Sequence, residues 1–124
     1  MIQIDTCVAI WLYEGKTEQL SHTAIGLLES EPCQFSPMVR LELQYMFEIG
    51  RNNADANTVL SVIHGQFGVD EAHTDFAQVA KVATAIVWTR DPFDRLIAAQ
   101  SICDNACLVT KDRLIRKHCQ NAQW

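Results

Sequence analysis

The chain has 124 residues, 48% hydrophobic and 20% charged, a size that fits one domain over residues 1–124 burying roughly two thirds of its unfolded surface. Fifteen Asp and Glu against ten Lys and Arg leave a net charge of -5, which argues against holding nucleic acid by a general excess of basic residues; any polyanion must be bound locally. Five cysteines without a CxxC pair, no basic leader followed by an apolar run, and no hydrophobic stretch near the roughly 18 residues of a membrane span point to a reduced, cytoplasmic protein outside the membrane.

Met1 to Ile4 is too short for a helix and suits a buried parallel strand, with Asp5 at its end. Thr6 is the expected cap of a helix through Tyr13, which Gly15 stops. A second helix is expected over Glu18 to Glu29, ending before Pro32, and Cys33 to Ser36 is a second strand. Ser36-Pro37 opens a helix to about Gly50, with a hydroxyl at the cap and proline where its missing N–H costs nothing. Asn53 to His64 is helical, followed by a strand-like patch around Val69, and Thr74 to Ile86 is helical by its apolar spacing. Asp91-Pro92 opens a helix to about Asn105, Ala106 to Thr110 is a strand, and Asp112 to His118 adds a last helical turn or two.

Short strands alternating with helices predict an α/β fold, a small parallel sheet flanked by helices on both faces. Ligands of such sheets sit beyond the carboxyl ends of the strands, where Asp5 and Asp112 are expected. Glu42 lies on the apolar stripe of its helix between Val39 and Met46, and Asp94 lies in the first turn of the helix that Asp91 opens. Four carboxylates from four remote segments therefore can converge. Like charges at short range need a cation between them, and all-oxygen ligation selects Mg2+ or Mn2+ over zinc. Such ions activate water and stabilise the leaving oxygen in phosphodiester hydrolysis.

Ile4-Asp5-Thr6, Ser36-Pro37-Met38-Val39-Arg40-Leu41-Glu42, Asp91-Pro92-Phe93-Asp94-Arg95-Leu96-Ile97-Ala98-Ala99-Gln100 and Leu108-Val109-Thr110-Lys111-Asp112 together resemble a PIN domain. Their order and spacing are similar to the small VapC-type toxins of bacterial toxin–antitoxin pairs. The resemblance implies a three-layer α/β/α fold and a metal-dependent endoribonuclease acting on RNA, paired as a homodimer and inhibited by a small cognate antitoxin. By motif, Asp5, Glu42 and Asp94 match the three family acids and Asp112 the fourth, while Thr6 and Thr110 match hydroxyls that orient the acids or a metal-bound water. About Arg51 to Thr89 carries no individual motif.

Lys111, Arg113, Arg116 and Lys117 put four of the ten basic residues into seven positions. They form either a solvated helix face or, with Arg95 and Arg40, a patch that guides phosphates to the metals or receives an acidic antitoxin tail. Asp91 is explained first by helix initiation, with contact to a metal or water as the alternative, and Cys103 and Cys107 as small hydrophobes. No nucleophile elbow or Gly-rich phosphate loop occurs. The alternative from another class is a non-catalytic PIN-like module that binds RNA or protein.

Overall fold

The computed structural model describes residues 1–124. Five strands, β1 (Ile2–Ile4), β2 (Cys33–Phe35), β3 (Asp70–Glu71), β4 (Cys107–Val109) and β5 (Ala122–Gln123), pair in parallel in the order β3-β2-β1-β4-β5. Seven helices cover the sheet in three α/β/α layers: α1 (Thr6–Glu14), α2 (His22–Ser30), α3 (Pro37–Glu48), α4 (Ala56–Phe67), α5 (Phe76–Ala83), α6 (Pro92–Cys103) and α7 (Arg113–His118). No helix is long and apolar enough to cross a membrane.

Strand order decides where a ligand fits. The chain builds outward from β1 through β2 to β3, then returns to the other side of β1 as β4. The carboxyl ends of β1 and β4 therefore form the switch point, where helices leave in different directions and open a crevice. Ile4 lies beside Val109, and the Asp5 N–H extends the ladder to the Val109 carbonyl at 3.1 Å. Asp5 and Thr110 thus emerge from the sheet together.

The central strands are covered on both faces, so they are apolar throughout: Ile2, Ile4, Leu108 and Val109 are buried. Gln3 is the exception. Its Nε2 donates to Asp104 at 2.6 Å, the same carboxylate accepts from Gln100 Nε2 at 2.8 Å, and the Thr74 hydroxyl completes the network. The Gln3 amide oxygen is buried without a partner, while its nitrogen ties the middle of the sheet to the end of α6.

Three boundaries differ from expectation for local reasons. Helix α1 is capped by Asp5, which leaves the Thr6 hydroxyl free, and α2 starts at His22 under a Ser21 cap that accepts from the Ala24 N–H at 3.0 Å. The intervening Thr17–Gln19 is a 3-10 turn. Helix α5 is shorter than Thr74 to Ile86 because Asp75 caps it and its end tightens, with Ala85 N–H bonding to Val82 at 3.0 Å and Ile86 N–H to Ala83 at 3.1 Å. Two residues are too few to leave a pattern, so β5 had no periodic signal. Asn121 pins it, donating from Nδ2 to Ser101 Oγ at 2.9 Å and to the Ala106 carbonyl at 2.8 Å.

Candidate active site

Asp5 is held by two hydrogen bonds at the switch point. It is 8% exposed, and its carboxylate accepts from the Thr6 N–H at 2.7 Å and the Thr110 hydroxyl at 2.5 Å. Thr110 Oγ1 in turn accepts from the Asp112 N–H at 3.1 Å, so one buried hydroxyl links the acids that follow β1 and β4. Burial pushes the Asp5 carboxyl above the usual carboxylate range, opposed by Thr110 and Thr6 and assisted by the charge of Asp112.

Helix α3 brings Glu42 to the same place because Val39 and Leu43 bury its inner stripe and leave Glu42 at the rim, half-buried. Burial raises its pKa, Thr6 lowers it, and Asp5 and Asp91 raise it further. Although Thr6 Oγ1 lies close enough to influence Glu42, it is buried and has no hydrogen-bond partner of good geometry.

Helix α6 supplies two acids. Asp91 caps it through a single oxygen, Oδ1, which accepts from Phe93 N–H at 2.8 Å and Asp94 N–H at 3.2 Å; its other oxygen has no partner. Asp94 is pushed up to about 7, first by burial and then by the charges of Asp91, Asp5, Asp112 and Glu42. Asp112 repeats the arrangement at α7, where Oδ1 accepts from Ile115 N–H at 2.9 Å. Capping and facing a ligand are compatible in both, since each cap uses one oxygen.

One cavity of about 660 Å³ collects Asp5, Thr6, Glu42, Asp91, Asp94 and Asp112. Five carboxylates there face two cations, Arg51 and Lys111. As placed, no three acidic, histidine or cysteine side chains stand close enough together to hold a metal ion. The acids share a cavity without closing on one point, as mutual repulsion requires until a cation lies between them. The donor chemistry nevertheless fits a hard divalent ion, being all oxygen with the unpartnered Thr6 hydroxyl beside it. Cys7 also lines the cavity, but burial, then Asp5, Glu42, Asp112 and Asp94, push its thiol up to about 11, so it stays protonated and leaves ligation to the oxygens.

No curated protein matches the chain in sequence. The PIN domain family, in contrast, matches residues 2–120, nearly the whole length. The chain belongs to the PIN domain family. Membership places it among nucleases that generally use a divalent metal ion. Among solved structures, the complex VapBC2 from Rickettsia felis, bound to a DNA fragment from its promoter, is similar with a TM-score of 0.70 and 18% identity, covering 99% of this chain and 98% of that one. DNA-bound VapBC from Salmonella typhimurium is similar with a TM-score of 0.63 and 20% identity, over 98% of this chain and 94% of that one. At these identities the likeness is one of fold.

In this PIN domain only Lys111 of the anticipated basic residues lines the acid cavity, its Nζ 5.8 Å from the centre of the Trp11 ring. Arg95, expected in a patch that guides phosphates or receives an antitoxin tail, lies outside this cavity. Its Nε and Nη2 donate to the Ala83 carbonyl at 3.3 and 3.1 Å, because the last carbonyls of α5 lack a full set of helical partners. Arg40 is likewise held, by Glu71 at 3.1 and 3.0 Å and Asn57 at 2.8 Å. Arg113 and Arg116 are exposed on α7 outside the cavity, and Arg116 donates to the Lys111 carbonyl at 3.1 Å.

Asp91, for which the sequence favours capping over contact with a metal or water, lines the cavity, as do Arg51 and the aromatic wall of Trp11, Tyr45 and Phe93, which the sequence does not assign to the site. Tyr45 follows Glu42 by three positions and so shares its helical face, a signal present in the sequence. The site's own coupling is testable. Thr110→Val removes the hydroxyl but little volume, and is expected to destabilise the fold by about 1–3 kcal/mol. The loss should be larger at alkaline than at acidic pH, since the ionised Asp5 carboxylate is the form that needs the donor; urea unfolding across pH reads both.

Proposed function

We propose that this PIN domain, acting as one unit over residues 1–124, is a cytoplasmic endoribonuclease dependent on Mg2+ or Mn2+. We infer further that it is the VapC-type toxin of a toxin–antitoxin pair. The observation that carries the catalytic reading is the meeting of five carboxylates from remote segments in one cavity at the switch point of the sheet. Its resemblance in fold to VapBC complexes supports a small cognate antitoxin as partner, with the exposed cations Arg113 and Arg116 suited to an acidic tail. Pairing as a homodimer is what the resemblance to the VapC-type toxins implies.

Asp5, Glu42 and Asp94 are the residues that would hold the principal ion, with Asp112 beside a second ion or the attacking water. A bound divalent ion supplies a water of lowered pKa and stabilises charge on the leaving oxygen. The chain's part is positional. Thr110 and the Thr6 N–H hold the Asp5 carboxylate in one orientation, and the Thr6 hydroxyl is free to orient a water. Lys111 adds positive charge at the rim, where a phosphate approaches.

Incubation of total cellular RNA with the protein in Mg2+, Mn2+ or EDTA tests the reading. Endonucleolytic products are expected with either metal and none with EDTA. RNA binding with no cleavage under any condition would instead establish the non-catalytic module, and cleavage untouched by EDTA would reject the metal.

A further inference from the structure

A polyanion entering a cavity with five carboxylates needs cations at the wall, and the wall has two. Lys111 is one, lying over Trp11. Arg51 is the other, and its side chain is without an ion pair or hydrogen bond: the four ion pairs of the molecule involve other residues, while Arg40 and Arg95 are engaged by Glu71, Asn57 and Ala83. An exposed guanidinium left unpaired beside a group of acids is poised for an anion that has yet to arrive.

Its position is set by the way α3 ends. Gly50 takes a φ of +81°, its N–H bonds to the Phe47 carbonyl at 3.1 Å, and the Arg51 N–H reaches back to the Met46 carbonyl at 2.8 Å. This paired closure fixes the backbone of the residue after the glycine. Arg51 is therefore delivered to the cavity by this turn, just past the end of a helix that also carries Glu42, Tyr45 and Met46 into the same wall.

Arg51 also lines a second, smaller crevice of about 100 Å³ with Asn52, Asn53, Tyr13, Val59 and Glu14, between α1 and α4, where Glu14 is paired with Lys16 at 3.0 Å. There the Asn52 amide nitrogen is buried and lacks an acceptor, a donor that a polar ligand would satisfy. The guanidinium thus stands where the acid cavity meets a crevice containing an unused hydrogen-bond donor.

We propose that Arg51 is a substrate-binding residue that holds an RNA phosphate neighbouring the one cleaved, and that the strand passes over it from the acid cavity toward the Asn52 crevice. The proposal rests on the nuclease reading above. It differs from that reading in placing the phosphate contact on the α3 turn and not in the basic run after β4.

Steady-state cleavage of RNA in Mg2+ at several salt concentrations tests it, with wild type, Arg51→Ala, Arg51→Lys and Gly50→Ala compared. Arg51→Ala is expected to raise KM about tenfold with kcat within about twofold, and to lower the slope of log KM against log salt by about one, as loss of one phosphate contact requires. Arg51→Lys retains the charge and should recover most of the KM. Gly50→Ala strains the turn without removing the charge and should raise KM as well, with circular dichroism reporting the fold of each variant. Wild-type KM and salt slope in Arg51→Ala, or a fall in kcat alone, would overturn the proposal while leaving the nuclease reading in place. Absence of metal-dependent cleavage by the wild-type protein would remove both.

Discussion

With Asp5 as a ligand of the proposed catalytic ion, Asp5→Asn is expected to lower RNA cleavage by at least about a hundredfold, because that ligand charge, worth several kcal/mol at the transition state, is lost. The fold should survive. Asparagine keeps an oxygen that accepts from the Thr6 N–H at the start of α1, and its amide can donate to the Thr110 hydroxyl, reversing a bond that now runs the other way. Burial already pushes the Asp5 carboxyl toward its neutral form, so an uncharged substitute relieves repulsion with Asp112 in the metal-free protein. The melting temperature of metal-free Asp5→Asn is therefore expected to equal or exceed that of wild type. Its rise on adding Mn2+ should be much smaller. Full activity in the variant would reject the assignment, and a large loss of metal-free stability would show that Asp5 acts in the fold before it acts in chemistry.

The stability of the metal-free protein should depend on pH through the same acids, in the opposite direction to a salt-bridged carboxylate. Asp94 rises from its ordinary 3.8 to about 7 on folding, so the folded state holds a proton that the unfolded chain has released. Its contribution is complete below the unfolded value of 3.8 and is lost as pH rises through about 7. Asp5 and Glu42 are shifted the same way and add to the trend. The proposed divalent ion would replace those protons. At neutral or higher pH, a metal at a hundred times its dissociation constant should add about 2.7 kcal/mol, or about 10 °C in Tm. At acidic pH, with the acids protonated, it should add almost nothing. Thermal melts with EDTA or Mn2+ across pH check this, and Asp94→Asn should flatten the difference between the two curves. Equal stabilisation by metal at acidic and neutral pH would show that the ion binds elsewhere.

Much of this arrangement was legible locally. Strand β1 is announced by its apolar run, α3 by Ser36 and Pro37, and α6 by Asp91 and Pro92, because caps and first-turn prolines act within a few residues. Glu42 was legible because a charge on an apolar stripe needs an explanation. Where two neighbouring residues compete for one local role, sequence discriminates poorly: Asp5 and Thr6 are both good caps, and only the Thr110 hydroxyl arriving from β4 orients the carboxylate that does the capping.

The fate of the arginines was not legible. Arg40, Arg95 and Arg51 are alike in isolation, yet the first is clasped by Glu71, 31 residues away, the second by the Ala83 carbonyl, 12 residues away, and the third is left unpaired at the cavity. Asp91 was half legible, since its capping oxygen is a matter of the next three residues, whereas its second oxygen acquires meaning from Asp94, Glu42 and the shared cavity.

The order of residues along the chain by itself determined the strand–helix alternation and the parallel sheet, and singled out Asp5, Glu42, Asp94 and Asp112 as candidates, because these follow from periodicity, caps and motif spacing, which act over short distances. Tertiary structure alone decided that β4 lies against β1, that five carboxylates share one cavity, and which cations remain unpaired beside them. Those outcomes depend on pairings across remote segments, such as Asp5 with Thr110, where what matters is distance through space under mutual charge repulsion, and spacing in the sequence carries no measure of that.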